Sequence, residues 1–431
     1  MSSTILSFGE ASALVAAHAA RLSPPATERV TLAEANGRVL AQTLSADSDQ
    51  PPFARSTRDG YACRAAEAST HAPLALAGST RAGQSPTSPL PANSVWEIMT
   101  GAPVPDGADA VIMLEHVQAG ADTVRLLPPR TIAPGENIVP RGAQARIGDQ
   151  LLAPGANIGF AQIALAAACG CPSLQVFLKP RVAILSTGDE IVPVESLPGP
   201  AQIRNSNGPM LAALVRNAGG EPWLLPAAPD NAPALQAALI EACQAPLILI
   251  SGGVSAGKFD LVEPVMAGLG ARFHFTGVRI QPGKPLVFGQ VPSANPIQSQ
   301  DSAKHWFGLP GNPVSSAVTF LLFAAPLLRA LAGSTHCGPH FALAHLAHDL
   351  KGKSGASDHS SSSSGSKSGL TRFLPAHCSF TAPPGELPAV RRVEWQGSGD
   401  LVAMAHSNCF VVVPEDAEHL RAGETVRILL V

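Results

Sequence analysis

The sequence predicts a multidomain α/β plus β protein, with a central, mostly parallel α/β domain flanked by β-rich and helical or extended parts. Three observations predict it. Between about 180 and 333, short apolar runs alternate with helical patterns across short links, as in a sheet covered by helices. Between 46 and 139, Pro and Gly are frequent and the apolar runs are brief, as in a small β-rich domain. From about 370 onward only short β-like runs remain, which suggests a small C-terminal β-barrel.

The elements follow in order. Residues 7–21 read as an amphipathic helix with Leu14, Val15 and His18 near helical spacing, and 32–39 as the start of another. Runs such as 94–99 and 110–114 read as strands of the 46–139 domain. That domain is inserted into an elongated helical and extended one made of 1–45 and 140–179, with a helix near 160–168. In 180–333 strands are expected at 181–185, 222–225, 247–250, 272–278, 286–288 and 306–308. Helices are expected at 209–218, 232–243, 261–269 and 314–331. Residues 334–431 make the terminal β-barrel domain, with a Ser-rich, low-complexity loop at 351–369.

Composition narrows the function. A chain of 431 residues is too long for one ordinary core, and 45% hydrophobic against 14% charged residues allows large ones. Net charge is −3, so the basic field of a nucleic-acid binder is absent and any grip on an anion must be local. Seven cysteines without paired spacing argue against a disulfide framework, and Cys169 and Cys171 are too close for a zinc knuckle. The N-terminus lacks a basic secretory start. The apolar runs at 158–169 and 318–328 fall short of the ~20 residues of a membrane span. A cytoplasmic protein with no membrane and no nucleic-acid partner is expected.

Open α/β sheets bind ligands beyond the carboxyl ends of their strands. Three loops fall there: Ser186-Thr187-Gly188-Asp189-Glu190, Ser251-Gly252-Gly253-Val254-Ser255-Ala256-Gly257, and Leu309-Pro310-Gly311-Asn312-Pro313. Glycines let backbone approach an anion, and helix N-termini supply N–H groups. The second loop lacks both GK[ST] and G-x-G-x-x-G, so it is neither a P-loop nor a dinucleotide fingerprint. Glu190, Asp230 and Asp260 accompany these loops. Each is a helix cap or a holder of a divalent cation against phosphate. Lys284, in the loop of Gly283 and Pro285, is a solvated charge or a cation placed by two flanking prolines. Asp59 before Gly60, and Thr100 before Gly101, are ordinary turn residues or site residues. The residues alone describe a phosphate-binding α/β unit without naming a reaction.

Six motifs in order carry a resemblance: STRDGYA, IMTGAPVPDGADAVIM, ILSTGDEIV, SGGVSAGKFD, QPGKP and GLPGNPVSSAVTF. Together they resemble the molybdopterin molybdenumtransferases, the MoeA and gephyrin E-domain family, from about residue 7 to 335 and more weakly to 431. The resemblance implies a four-domain protomer working as a homodimer. It implies adenylylated molybdopterin and molybdate as substrates, Mg²⁺ as cofactor, and molybdenum cofactor and AMP as products. Catalytic positions would be Asp59, Thr100, Glu190, Asp230 and Asp260, with Asp260 and Glu190 on the metal. Asp59 and Thr100 would face the partner protomer. Ser251, Gly252, Gly253 and Ser255 would contact the pterin phosphate or nucleotide, and Lys284, Pro310, Pro313 and Ser315 would border the molybdate end. Ser186, Thr187, Gly188, Gly283, Pro285, Gly311 and Asn312 would also bind substrate.

The chain departs from the family at Gln281, where many relatives have Lys, and at Leu370, the usual Arg position. Arg372, two residues on, is the candidate to reach back, and Lys258 stands where an acidic residue is common. Two other functions are compatible with the fold: a non-catalytic scaffold and a molybdopterin adenylyltransferase. Retention of Asp59, Asp260 and Lys284 favours catalysis over the first. A single α/β unit argues against the second. Other cofactor-biosynthesis or acceptor proteins are expected as partners.

Overall fold

The computed structural model describes residues 4–253, 261–292, 303–351, 369–417 and 419–431. Its centre is a six-stranded sheet in the order Glu221–Leu224, Arg181–Ser186, Leu247–Ser251, Lys304–Leu309, Val287–Val291, Arg272–Phe275. The first four strands are parallel, and the last two join antiparallel. All five residues of Leu247–Ser251 are buried, as expected of a continuous apolar strand covered on both faces.

Strand alternation divides that core into two layers. Val182, Ile184, Leu247 and Leu249 pack against the helix Asn207–Asn217 and the helical run Pro313–Leu331. Ala183, Leu185, Ile248 and Ile250 pack against the helices Ala232–Ala242 and Val262–Gly268.

The helical run expected at 314–331 is not uniform. α-Helix at Pro313–Thr319 gives way to π-helix at Phe320–Ala324, then to α-helix at Ala325–Leu331. Pro326 cannot donate the backbone bond to Leu322 that an α-helix requires, and the ladder widens just before it. The run is 19 residues long, more than the 318–328 stretch suggested, and it is mostly buried within the fold.

The helix Phe8–Ala19 starts at a capping box, in which Ser7 accepts from Glu10 N and the Glu10 carboxylate accepts from Ser7 N. Its Ala11 and Val15 enter the first α/β layer, and Ile5–Leu6 pairs in parallel with Gly277–Val278. The N-terminal helix is therefore built into the core of the α/β sheet. The second helix expected at 32–39 is absent. Successive turns run from Thr31 to Arg38, and Gly37, at φ 72°, takes a left-handed conformation that stops helix propagation. Thr27–Thr31 instead pairs with Ser173–Phe177, beside the helix Phe160–Ala168.

The 46–139 segment holds a six-stranded sheet in which Gly60–Cys63 lies between Ala110–Met113 and Ser94–Ile98. Its buried Trp96 donates to Thr80 Oγ1 at 2.7 Å. The C-terminal strands close a small barrel because Thr371–Ser379 pairs with both Ala389–Arg392 and Cys409–Val413. Ile280–Gln281, which belongs in sequence to the α/β region, joins that barrel sheet.

Candidate functional site

Arg181–Ser186, Leu247–Ser251 and Lys304–Leu309 lie side by side in parallel, with Ser186 opposite Ser251 and Ser251 opposite Leu309. Their carboxyl ends therefore deliver three loops to one place. A cleft of about 850 Å³ opens there. Ser186, Thr187, Gly188, Glu190, Asp230, Ser251, Gly252, Gly253, Pro285 and 310–313 line it.

Backbone bonds lock the loops together. Thr187 N donates to Ser251 O at 3.0 Å, and Gly252 N donates to Leu309 O at 3.1 Å. Gly252 has φ 93°, and a Cβ there would stand 2.8 Å from Thr187 O, so only glycine fits. Gly311 lies over Gly252, with room for a Cβ at 3.6 Å from the Gly252 Cα.

The wall also contains residues that the sequence reading did not single out: Arg204, Asn205, Ser206 and Asn207, just before and at the start of a helix, and Gly399 and Leu401 from the C-terminal part. Asn205 Oδ1 accepts from Gly208 N at 2.9 Å and from Ser186 Oγ at 3.2 Å. Asn207 Nδ2 reaches both Ser251 Oγ, at 2.8 Å, and Gly311 O, at 2.6 Å, so one amide ties the second loop to the third. Asn312 Nδ2 donates to Ser398 Oγ at 2.9 Å, which fastens the third loop to the C-terminal part. The local signal was the Asn-Ser-Asn-Gly run ahead of a helix, where amides serve as caps and turn formers.

Two polar atoms of residues that line the cleft are buried and, among the described residues, have no hydrogen-bond partner: Thr187 Oγ1 and Asn207 Oδ1. Buried polar atoms are ordinarily satisfied, so such a pair at one cleft is unusual.

The acidic residues sort themselves. Asp230 is not the helix cap, because Asn231 takes that role and accepts from Ala234 N at 2.9 Å. Asp189 Oδ1 fixes the Asp230 backbone by accepting from its N–H at 3.0 Å, which leaves the Asp230 carboxylate to line the cleft. The Glu190 carboxylate folds over Gly188, where any Cβ would collide with it. Two carboxylates on one wall fit a hard divalent cation that takes its remaining oxygens from ligand and water. Among the described residues no three His, Cys, Asp or Glu side chains converge on a metal position. Asp260, Ser255 and Lys258 lie outside the described residues.

Gly283, Lys284 and Ser315 do not line the cleft. Lys284 is exposed on the loop that Pro285 brings to the wall, and Ser315 is buried in the helix that begins at Pro313.

Asp59 and Thr100 form a separate corner. Pairing of Gly60 with Ile98 brings the two together, and Asp59 Oδ1 accepts from Thr100 N at 2.6 Å and from Thr100 Oγ1 at 2.9 Å. These bonds hold the Asp59 carboxyl below the usual aspartate range, although both residues are exposed. The Asp-Gly pair is not a hairpin turn. Gly60 opens a strand and presses so closely on the backbone of Ile112 that a Cβ would collide with its carbonyl oxygen.

Three family models match the chain: the MoeA N-terminal region (domain I and II) over residues 6–170, a probable molybdopterin binding domain over 183–330, and the MoeA C-terminal region (domain IV) over 361–431. A molybdopterin molybdenumtransferase of Nostoc sp. is 34% identical over 94% of this chain and 88% of its own length. One of Haemophilus influenzae is 34% identical over 94% of both chains. Two crystal structures of a molybdopterin biosynthesis MoeA protein from Pyrococcus horikoshii superpose over 99% of this chain. Their TM-scores are 0.76 at 28% identity, covering 100% of that chain, and 0.68 at 31%, covering 99%.

Proposed function

This chain belongs to the MoeA family of molybdopterin molybdenumtransferases, and from that premise we propose a specific reaction for its cleft. The chain acts in molybdenum cofactor biosynthesis, by molybdenum insertion. In our reading the substrate is adenylylated molybdopterin. Molybdate oxygen is exchanged for the dithiolene sulfurs, the phosphoanhydride is hydrolysed, and AMP leaves. The observation that carries this reading is the trio of adjacent loops lining one cleft, two of whose residues carry polar atoms, Thr187 Oγ1 and Asn207 Oδ1, without a partner among the described residues.

The work of each residue follows from its position. Gly252, Gly253 and Gly311 let backbone come close to phosphoryl oxygens. The Thr187 hydroxyl donates to one of them, and Asn207 holds the second and third loops at a fixed spacing. Asn207 Oδ1 accepts from a donor on the nucleotide or pterin. Glu190 and Asp230, with Asp260, would hold Mg²⁺, which when bound would supply charge to polarise the phosphoryl oxygens. No side-chain nucleophile is required, since catalysis rests on orientation and charge. Asp59 and Thr100 act across a homodimer on the partner protomer's cleft. Lys284, Pro310, Pro313 and Ser315 border the molybdate end. A cytoplasmic location belongs to the same reading.

The test uses purified protein with adenylylated molybdopterin, molybdate and Mg²⁺. AMP should appear together with cofactor able to activate an apo-molybdoenzyme, and chelation of Mg²⁺ should stop both. Absence of AMP release under these conditions refutes the reaction. Unchanged release after chelation refutes the metal role alone.

A further inference from the structure

A second cavity, of about 610 Å³, opens on the C-terminal barrel and shares no lining residue with the cleft described above. Four separate segments bring its polar side chains together. His377, on Thr371–Ser379, stands opposite Arg391, on Ala389–Arg392. Register partners share a face, with Cβ atoms about 5 Å apart. The next pair, Cys378 opposite Val390, is buried in the barrel core, so His377 and Arg391 point outward. Leu346 pairs in parallel with Val390, and two residues beyond them come His348 and Arg392. His406 caps the carboxyl end of the helix Leu401–Ala405, with its N–H on Val402 O at 3.2 Å.

The whole chain carries a net charge of −3. In this cavity two guanidinium and three imidazole groups meet one carboxylate, that of Glu394. Acidic residues close by in sequence are engaged elsewhere. Asp349 accepts from Ala422 N at 2.9 Å and lies 3.5 Å from His419. Asp400 accepts from Gln396 N at 2.9 Å and from Ala403 N at 3.0 Å. Among the described residues, Arg391, Arg392 and Glu394 form no ion pair. A guanidinium fork suits an oxyanion with several equivalent oxygens. An imidazole donates through one ring nitrogen when neutral and through both when protonated. A tetrahedral phosphate presents oxygens in several directions and can meet donors arriving from four segments, which a planar carboxylate cannot. The volume is that of a small-molecule site, and the basic groups gather in one concavity instead of a stripe, which selects a small ligand over nucleic acid. Val393 is the one apolar residue in the lining, so recognition centres on the anionic group.

We propose that His348, His377, Arg391, Arg392 and His406 form a second anion site, which takes phosphate, free or as the phosphate group of a small phosphorylated metabolite. Arg391 and Arg392 supply the charge of the grip, and the imidazoles supply directed donors. Glu394 opposes the anion and holds the affinity below what the cations alone would give. The site lies outside the insertase cleft and does not depend on the reaction proposed there.

The test compares full-length protein with Arg391→Gln, Arg391→Lys, Arg392→Gln and Glu394→Gln, each checked first for a native unfolding transition. Binding of inorganic phosphate and of glycerol phosphate is read by calorimetry at constant ionic strength, with acetate as the planar control. Asn207→Ala identifies any heat that arises in the cleft. The expected result is a rise of about tenfold in the phosphate Kd for Arg391→Gln and for Arg392→Gln, with a smaller rise for Arg391→Lys. Glu394→Gln should lower that Kd about threefold, because it removes a charge of the same sign as the ligand. Asn207→Ala should leave it unchanged. Tighter binding of glycerol phosphate supports the site with an esterified ligand, and tighter binding of inorganic phosphate supports it with the free ion. If Arg391→Gln does not fold, Arg392→Gln and Glu394→Gln carry the test. Phosphate affinity indifferent to these variants overturns the proposal, as does acetate bound as tightly as phosphate. Loss of the phosphate heat in Asn207→Ala also overturns it, by placing the binding in the cleft.

Discussion

The cleft and the Asp59 corner present polar groups in opposite ways. The cleft joins three loops from distant parts of the chain, and among the described residues Thr187 Oγ1 and Asn207 Oδ1 in it have no partner. The corner is held by its own hydrogen bonds. Asp59 Oδ1 accepts both bonds from Thr100, both residues are exposed, and neither lines the cleft. One region is built to receive and the other to be presented. In the function proposed above, each protomer of a homodimer offers its corner to the other's cleft.

The largest expected effect breaks the composite site directly. Asp59→Asn should lower AMP release by about 10²–10³-fold, the size of effect found when one group that acts on a transition state is removed. Its stability should hardly change, since surface substitutions usually stay within about 0.5 kcal/mol. Mixing it with a cleft variant, Asp230→Ala, should restore part of the activity through heterodimers that carry one intact site. No recovery on mixing would place both functions within a single protomer.

Next come the glycines. Gly60→Ala forces a Cβ into the backbone of Ile112 and should destabilise the chain by about 3 kcal/mol in urea unfolding. Gly311→Ala finds van der Waals space against Gly252 and should cost less than about 1 kcal/mol, yet weaken substrate binding where backbone must approach phosphate. Equal losses of stability would erase the contrast between a corner fixed by packing and a loop kept open for a ligand.

A smaller effect concerns the amide across the cleft. Asn207→Ala removes the donors to Ser251 and Gly311, each bond contributing about 1 kcal/mol. KM for the pterin substrate should rise about tenfold, with kcat falling less. A kcat loss with unchanged KM would instead assign Asn207 to the transition state.

The smallest effect separates both regions from the rest of the fold. His18, on the N-terminal helix, lies against His274 in a tilted contact with ring centroids 4.2 Å apart, and Gln290 links His274 to His305. Burial pushes His18 and His305 down to about 4, helped by the neighbouring histidines and, for His18, by Arg21 and Arg272. Their folded pKa lies below the unfolded value of 6.5, so the unfolded chain binds more protons in between. Stability should be full above pH 6.5 and decline as pH falls toward 4, and His305→Gln should flatten that decline in Tm. An equal decline in the variant would shift the acid sensitivity to carboxylates elsewhere.

Much of the site was legible from local features. The apolar runs ending in Gly-bearing loops at Ser186, Ser251 and Leu309 marked three strand ends, and those strands are neighbours in the sheet. What escaped the reading depended on distance along the chain. Nothing near Asn207 announces that its amide spans Ser251, 44 positions away, and Gly311, 104 away. Asp230 read as a cap because Asp and Asn are both good caps, and only the backbone path shows Asn231 in that role. The helix expected at 32–39 failed because Gly37 and the turns before it outweighed a favourable apolar pattern.

By itself the sequence determined the fold class, the strand–loop–helix units and the family, because hydrophobic period, turn chemistry and short motifs are local properties of the chain. Tertiary structure alone decided the rest: the N-terminal helix joining the α/β core, Ile280–Gln281 entering the barrel sheet, Gln281 facing Arg372, and Asp59 meeting Thr100. Each of these depends on the register between segments far apart in sequence. Register is set by the summed packing of whole faces, which no single stretch of residues encodes.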